Sequence, residues 1–239
     1  MKVLVACEES QTVCKVFREK GHEAYSCDIL ECSGGHPEWH IQGDVLPLLN
    51  PTTIYDGYGN ELWGIKFATC DGFEHYVLDE WDVIIAHPPC THLTSSGQWA
   101  YKKGKDISLK YEAIEFFMRF ANADCERICI ENPVGVMSSE WRKPDQIIHP
   151  WQFGHLAEKQ TCLWLKGLPK LIPETEKKPE LEYFEWVDKN GNKKRMQKWM
   201  YDIRCISDRK KRAELASKTF EGIAKAMAEQ WGENRCMIG

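Results

Sequence analysis

The sequence has no long hydrophobic run, no glycine-rich phosphate-binding motif and no general excess of basic residues. No apolar stretch approaches the roughly 18 residues that a membrane-spanning helix requires, and the apolar start of the chain is too short for a signal peptide. The net charge of −5 argues against a surface that is basic throughout, although lysines and arginines are concentrated in the last third. We therefore expect a cytoplasmic protein with no membrane partner.

Cysteine is abundant, with 11 residues in the chain. The number is odd and no export signal accompanies it. Cys7, Cys129 and Cys162 lie within apolar runs, where a reduced thiol packs as a small hydrophobic side chain. We therefore expect reduced thiols rather than a disulfide framework.

Four potential metal ligands lie close together at Cys27, Cys32, His36 and His40. Thiolates and imidazoles at such spacing are the ligands that zinc prefers, so a zinc site is one alternative for this segment. Asp28 and the adjacent glycines suit a cofactor-binding loop equally well. We predict no metal, and a metal assay on the purified protein would decide between the alternatives.

Strand and helix patterns alternate over the first two-thirds of the chain. Short apolar runs predict strands at 2–7, 22–27, 40–43, 81–86, 127–130 and 161–165. Amphipathic spacing predicts helices at about 10–20, 108–123 and 219–231. This alternation is typical of a doubly wound, mostly parallel α/β sheet.

Polar or reactive residues follow five of the predicted strands. In open α/β sheets, ligands bind in the crevice beyond the carboxyl ends of the strands. The residues at these ends are Cys7-Glu8-Glu9, Asp28, Asp44, His87-Pro88-Pro89-Cys90 and Glu131-Asn132. Because such ends meet at one edge of a sheet, we expect a single binding crevice.

The acidic residues in this set favour a cofactor without phosphates. Asp28 suits the paired hydroxyls of a ribose, and Asp44 could accept from an adenine amino group, although either could also be an ordinary turn carboxylate. Glu8, Glu9 and Ser10 stand where a dinucleotide-binding protein has glycines, and their charge would repel a pyrophosphate at a helix N-terminus. S-adenosyl-L-methionine fits this pattern better than NAD or FAD.

The segment 88–97, PPCTHLTSSG, resembles the catalytic loop of the cytosine-C5 DNA methyltransferases. In that family Pro-Pro-Cys is followed by an apolar residue, a Ser or Thr and a Gly at these spacings. Glu131-Asn132 is similar to the family's Glu-Asn pair, which follows the next strand. The matching segments run in order from the N-terminus to about residue 135, with weaker matches at 159–165 and 217–224.

Three segments depart from the family pattern. Cys7-Glu8-Glu9-Ser10 replaces a first loop that normally carries Phe and glycines, and Pro133 replaces a Val. Lys159-Gln160-Thr161 replaces a Gln and a pair of Arg residues. The chain resembles a compact, divergent, phage-like branch of the class I S-adenosylmethionine-dependent methyltransferases, with a Rossmann-like methyltransferase fold.

The resemblance implies methyl transfer to C5 of a cytosine in DNA through a covalent adduct. Cys90, held by the stiff turn that includes Pro89, would add to C6 of the ring. Glu131 would protonate N3, which requires burial to raise the pKa of its carboxyl. Asn132 completes the catalytic set, and a base within a duplex must first be flipped out.

The resemblance also implies which residues contact the cofactor and the DNA. The predicted cofactor contacts are Cys7, Glu8, Glu9, Ser10, Asp28, Ile29, Asp44, Val45, His87 and Pro88. The predicted DNA contacts are Thr94, Ser95, Ser96, Gly97, Lys159, Arg209, Lys210, Lys211 and Arg212. We predict a monomer with three regions: a cofactor-binding and catalytic domain at 1–165 with a hairpin insertion at about 50–80, a small α+β target-recognition segment at 166–206, and C-terminal helices at 207–239 that return to the catalytic domain.

Two other functions remain open at this stage. The same chemistry could act on a free pyrimidine nucleotide, because the segment available to read DNA is short. The chain could also be a non-catalytic nucleic-acid-binding module that uses the basic run 209–212 and an aromatic hairpin at 183–199. A module that only binds has no need of both Cys90 and Glu131 at one edge.

Overall fold

The computed structural model describes residues 1–233, apart from the side chains of Ser96 and Lys102. Its strands are β1 Lys2–Ala6, β2 Glu23–Asp28, β3 His40–Gln42, β4 Thr52–Tyr55, β5 Glu61–Ala68, β6 Glu74–Leu78, β7 Val83–Ala86, β8 Ile128–Pro133, β9 Gln146–Ile148, β10 Thr161–Lys166, β11 Tyr183–Val187 and β12 Lys193–Gln197. Its helices are α1 Thr12–Glu19, α2 Gln98–Lys102, α3 Ser108–Ala121, α4 Met137–Glu140, α5 Lys198–Cys205, α6 Arg209–Ser217 and α7 Glu221–Trp231.

A seven-stranded sheet in the order β3-β2-β1-β7-β8-β10-β9 forms the centre of the protein. Five neighbouring strands of this sheet are parallel: β3, β2, β1, β7 and β8. Strand β10 is antiparallel to both β8 and β9. The prediction of a mostly parallel α/β sheet is therefore confirmed. Strand order reverses between β1 and β7, and such a reversal opens a crevice at the carboxyl ends of the two strands.

Alternating side chains of the sheet enter two separate hydrophobic cores. Leu4 and Ala6 of β1 belong to the core beneath α3, whereas Val3 and Val5 belong to the core beneath α1 and α7. Helices therefore cover both faces of the sheet. This arrangement buries every side chain from residue 3 to residue 6 and leaves only the ends of the strands for a binding site.

The insertion at 50–80 is a three-stranded antiparallel sheet, β4-β5-β6, rather than the predicted hairpin. Ile65, Phe67 and Val77 from this sheet pack into the core beneath the main sheet. Trp81 closes the junction, because its indole N–H donates to the carbonyl of Leu48 over 2.8 Å.

The chain beyond β10 forms a hairpin followed by helices. The predicted turn at 188–192 joins β11 and β12, with the Asp188 carboxylate accepting from the backbone N–H groups of Asn190 and Asn192. The predicted region 207–239 begins near α6, and its residues 234–239 lie outside the described part of the chain. No helix within residues 1–233 is long and apolar enough to cross a membrane.

Candidate functional site

A cavity of about 170 Å³ opens at the carboxyl ends of β1, β7 and β8, beside the reversal of strand order. Its lining includes these residues of the predicted sites: Cys7, Glu8, Glu9, Ser10, His87, Pro88, Pro89, Cys90, Glu131, Asn132 and Lys159. The structure therefore brings the first loop, the Pro-Pro-Cys turn and the Glu-Asn pair to one place. The remaining lining residues were not predicted: Pro133, Ala216, Ser217, Lys218 and Thr219.

The Pro-Pro-Cys turn is fixed from both sides. The buried Asn132 side chain donates from Nδ2 to the carbonyl of Pro88 over 2.7 Å. The carbonyl of Cys90 accepts from the backbone N–H groups of Leu93 and Thr94, each over 3.0 Å. Because these bonds hold the backbone before and after the thiol, Cys90 occupies a defined position at the cavity.

The loop after Cys90 packs against the chain that follows β8. Thr94 pairs with Gly135 in an isolated β-bridge, and the Ser95 hydroxyl donates to the carbonyl of Val134 over 3.3 Å. A Cβ atom at Gly135 would lie 2.0 Å from the carbonyl oxygen of Leu93, so only glycine permits this approach. Thr94 and Ser95 therefore help to hold the loop, and their predicted contact with DNA stays a prediction.

Gly97, another predicted DNA contact, also supports the loop. The side chain of Ser96, predicted to contact DNA as well, lies outside the described part of the chain. The backbone N–H of Gly97 donates to the carbonyl of Thr94. A Cβ atom at Gly97 would lie 3.0 Å from the carbonyl oxygen of Thr91, a close approach that favours glycine.

Glu8 caps helix α1 from inside the protein. Its buried carboxylate accepts from the backbone N–H groups of Val13 and Cys14 over 2.6 and 3.2 Å. The helix therefore begins at Thr12, and the Ser10 hydroxyl contacts that of Thr12. Burial raises the pKa of the Glu8 carboxyl to about 6, against the opposing charge of His87.

His87 and Glu131 form a buried pair. The Nδ1 atom of His87 lies 2.8 Å from Oε2 of Glu131, and each side chain is only 12% exposed. Burial alone favours the neutral form of each group, but the hydrogen bond and the mutual attraction outweigh it. They raise the pKa of His87 and lower the pKa of Glu131. Burial does raise the pKa of Glu131, as expected, but the net shift is downward, because sequence reasoning missed the partner His87.

The electrostatic surroundings of Cys90 include one cation. Burial and the negative charge of Glu131 raise the pKa of the Cys90 thiol, whereas Lys159 lowers it. The Lys159 ammonium donates to the carbonyl of Ala216 over 3.0 Å, which ties the cavity to the end of α6. Lys159, predicted to contact DNA, is therefore a lining residue of the cavity.

The predicted ribose and adenine contacts lie at the same sheet edge as Cys7. Asp28 and Asp44 each accept a backbone N–H two residues further on, and both charges add to burial in raising the pKa of the Cys7 thiol. Ile29 is 75% exposed beside Asp28. The side chain of Val45 is buried in the core, and its predicted contact with the cofactor stays a prediction.

The four possible zinc ligands bind other groups. The ring of His40 bonds the Ser26 hydroxyl over 2.9 Å, and the Cys32 thiol donates to the side-chain oxygen of Gln11 over 3.0 Å. Within residues 1–233, no group of three or more His, Cys, Asp or Glu side chains is arranged to hold a metal ion.

The basic run lies at the start of α6, whose far end lines the cavity. Arg209, Lys210 and Lys211 are exposed, and the Asp208 side chain caps the helix through the N–H groups of 210 and 211. Arg212 instead donates to the backbone carbonyl of residue 206 over 2.7 Å. Arg212 thus also holds the loop before α6, and its predicted contact with DNA stays a prediction.

Three of the unpredicted lining residues, Ser217, Lys218 and Thr219, come from the segment that weakly matches the methyltransferases, and that match is the signal that could have identified them. Comparison with known proteins found no match to a family model and no match to a curated sequence. The site is therefore interpreted from its own geometry.

Proposed function

We propose that the protein transfers a methyl group from S-adenosyl-L-methionine to C5 of a cytosine in DNA. The observation that carries the proposal is the meeting of Cys90, Glu131 and the acidic first loop in one cavity. A nucleophilic thiol, a proton-transferring carboxyl and a cofactor loop are the three components that this reaction needs.

The sheet supports the same proposal. The cavity lies where the order of parallel strands reverses, which is where open α/β sheets bind ligands. The order β3-β2-β1-β7-β8-β10-β9, with β10 antiparallel, is also that of the class I methyltransferase fold to which we assign the chain.

The cofactor-binding edge fits a cation without phosphates. Glu8 already occupies the N-terminus of α1, so the N–H groups of Val13 and Cys14 are not available to a pyrophosphate. Asp28 and Asp44 add negative charge near Cys7. When bound, S-adenosyl-L-methionine supplies an electrophilic methyl group on a positively charged sulfur, and we assign the first loop, Asp28 and Asp44 to hold it.

In this proposal, each residue of the cavity has a separate role in the reaction of the cytosine base. Cys90, as the thiolate, forms a bond to C6, and the carboxyl of Glu131 supplies the proton that N3 gains. This addition makes C5 nucleophilic. After C5 is methylated, its proton leaves to water, the bond from Cys90 to C6 breaks, and N3 returns its proton. Lys159 favours the thiolate by opposing the effect of Glu131 on it.

Incubation with labelled cofactor tests the proposal, with DNA, RNA and deoxycytidine monophosphate offered separately. We expect label in DNA. Label in the mononucleotide alone would show that the substrate is a free nucleotide rather than DNA. No label in any substrate, with folded protein, would overturn the proposal. The Cys90→Ser variant should lose labelling, because a serine hydroxyl is hardly ionised near neutral pH. The exposed Cys205 provides a matched control, since Cys205→Ser should retain activity.

DNA with fluorine at C5 of the target cytosine tests the nucleophile directly. Fluorine cannot leave as a proton, so the adduct should remain attached to Cys90. The wild-type protein and Cys205→Ser should migrate as covalent complexes, whereas Cys90→Ser should not. An adduct mapped to another cysteine would refute the assignment of Cys90.

A further inference from the structure

We propose that His87 is a positioning residue that stores and returns the proton of Glu131, so that the acid acting on the base is the His87–Glu131 pair. The proposal rests on the proposed function. It adds a residue whose sequence position suggested only a contact to the cofactor.

The geometry of His87 is unusual for a histidine that only stabilises the fold. Its backbone N–H donates to the carbonyl of Ala6, and its Nδ1 atom bonds Glu131. Its Nε2 atom is buried, with no hydrogen-bond partner in the described part of the chain. Buried polar atoms are rarely left unpaired, so such an atom needs an explanation.

His40 shows what a structural histidine looks like in the same protein. It is also buried, and both ring nitrogens are bonded, Nδ1 to the Ser26 hydroxyl over 2.9 Å and Nε2 to the carbonyl of Leu30 over 3.0 Å. These bonds fix its ring from both sides. Among the described residues, the ring of His87 is bonded only through Nδ1, to Glu131, and both of these side chains line the cavity.

Charged groups from three neighbouring segments act on His87. They are Glu131 on β8, Glu8 after β1 and Lys159 before β10. Burial and Lys159 favour the neutral ring, whereas the bond to Glu131 and the two carboxylates favour the imidazolium and raise the pKa of His87. Among the described residues, His87 and Lys159 lower the pKa of Glu131 against the effect of burial, and the thiol of Cys90 lies within the influence of its charge. These effects favour a proton on the imidazole of His87 rather than on the carboxyl of Glu131.

The proton can then pass along the pair without net consumption. When the Cys90 sulfur bonds to C6, the displaced electron pair moves to N3. N3 then takes a proton from the carboxyl of Glu131, and the proton on Nδ1 of His87 moves to Glu131 to replace it. When the C5 proton leaves to water and the sulfur departs, N3 returns its proton to Glu131 and the imidazolium re-forms. Every group ends in its starting state.

His87→Asn is the informative variant, because the asparagine Nδ2 atom can occupy the position of Nδ1 and still donate to Glu131, but it cannot release its proton. We expect kcat to fall about 100-fold, a usual effect of losing an acid–base group. The KM for DNA should stay unchanged. Exchange of the C5 hydrogen without cofactor should slow in parallel, since it needs only the addition and elimination steps.

The pH profile separates this role from a merely structural one. The alkaline fall of kcat should move to lower pH in His87→Asn, because Glu131 alone loses its proton sooner than the pair does. His92→Asn is the control: His92 follows the same turn and bonds the Tyr101 hydroxyl, so its replacement should leave the profile unchanged. Full kcat and an unshifted profile in His87→Asn would overturn the proposal.

A nitrogen-15 NMR titration of the histidine rings tests the pair even if the protein methylates nothing. His87 should remain an imidazolium above pH 6.5, the usual pKa of histidine. In Glu131→Gln it should become neutral at lower pH, because burial then dominates. A neutral His87 ring at pH 6.5 in the wild-type protein would refute the stored proton independently of the proposed function.

Discussion

The reactivity of Cys90 depends on the charges beside it. Glu131 opposes ionisation of the thiol and Lys159 favours it, so removal of the lysine should raise the pKa of Cys90 further. We expect Lys159→Met to slow alkylation of Cys90 by iodoacetamide at pH 8 roughly threefold or more, since only the thiolate reacts. Mass spectrometry can follow Cys90 among the other cysteines.

A matched control for this experiment is Lys178→Met. Lys178 is an exposed lysine that forms an ion pair with Glu158, away from the cavity lining. This variant should leave the rate at Cys90 unchanged. An equal rate in the wild type and in Lys159→Met would show that Lys159 does not govern the thiol.

The convergence of Cys90 and Glu131 could be predicted, because each follows an apolar run and parallel strands bring such positions to one edge. The partners of the charged residues could not be predicted. His87 and Glu131 are 44 positions apart, and only the register of β7 beside β8 places their side chains in contact. Glu8 turns inward because Cys7 and Gln11 adopt left-handed backbone angles, which the sequence does not indicate.

The N-terminus of helix α1 is capped by the carboxylate of Glu8, which is buried in that position. The folded-state pKa of Glu8 is about 6 and the ordinary value is 4.5, so the folded state binds the proton more tightly. Ionisation of Glu8 therefore destabilises the fold progressively from about pH 4.5 to pH 6. The shift corresponds to about 2 kcal/mol of unfolding free energy.

Urea unfolding of the wild type and Glu8→Gln at pH values from 4.5 to 7 measures this effect. The wild type should lose about 1.5 kcal/mol relative to the variant between pH 4.5 and pH 7, because the full shift of about 2 kcal/mol is reached only over a wider pH range. The Gln side chain does not ionise, and the other titrating groups are common to both proteins. A stability difference independent of pH would contradict an elevated pKa at Glu8.

Long periodic elements were predictable and short ones were not. Six strands of the main sheet, all but β9, and helices α1, α3 and α7 were predicted from their apolar patterns, within a few residues of their ends. Strand β9 and helix α4 have three and four residues, too few to show a period. The apolar and polar residues at 52–78 alternate as they would in a two-stranded hairpin. The third strand is defined by its pairing with β5 and by packing in the core that includes Trp81, which the sequence pattern does not show.

The whole molecule separates its charge despite a net value of −5. Glu8, Glu9 and Glu131 line the cavity at the edge proposed to bind the cofactor, whereas Arg209, Lys210 and Lys211 are exposed on the helix whose end lines the cavity. A phosphate backbone would be attracted to that helix and repelled by much of the remaining surface. This distribution predicts that DNA binding is local and strongly dependent on salt.

Replacing these three basic residues by glutamine tests that distribution. Each phosphate contact contributes about 0.9 to the slope of log affinity against log salt concentration, so the triple variant should reduce the slope by roughly 2.7. Fluorescence anisotropy with a labelled duplex at several salt concentrations measures it. Lys20→Gln is the control, because Lys20 lies beyond the end of α1 and pairs with Glu229, away from α6. An unchanged slope in the triple variant would place the DNA elsewhere, and affinity indifferent to salt in the wild type would favour a free nucleotide as the substrate.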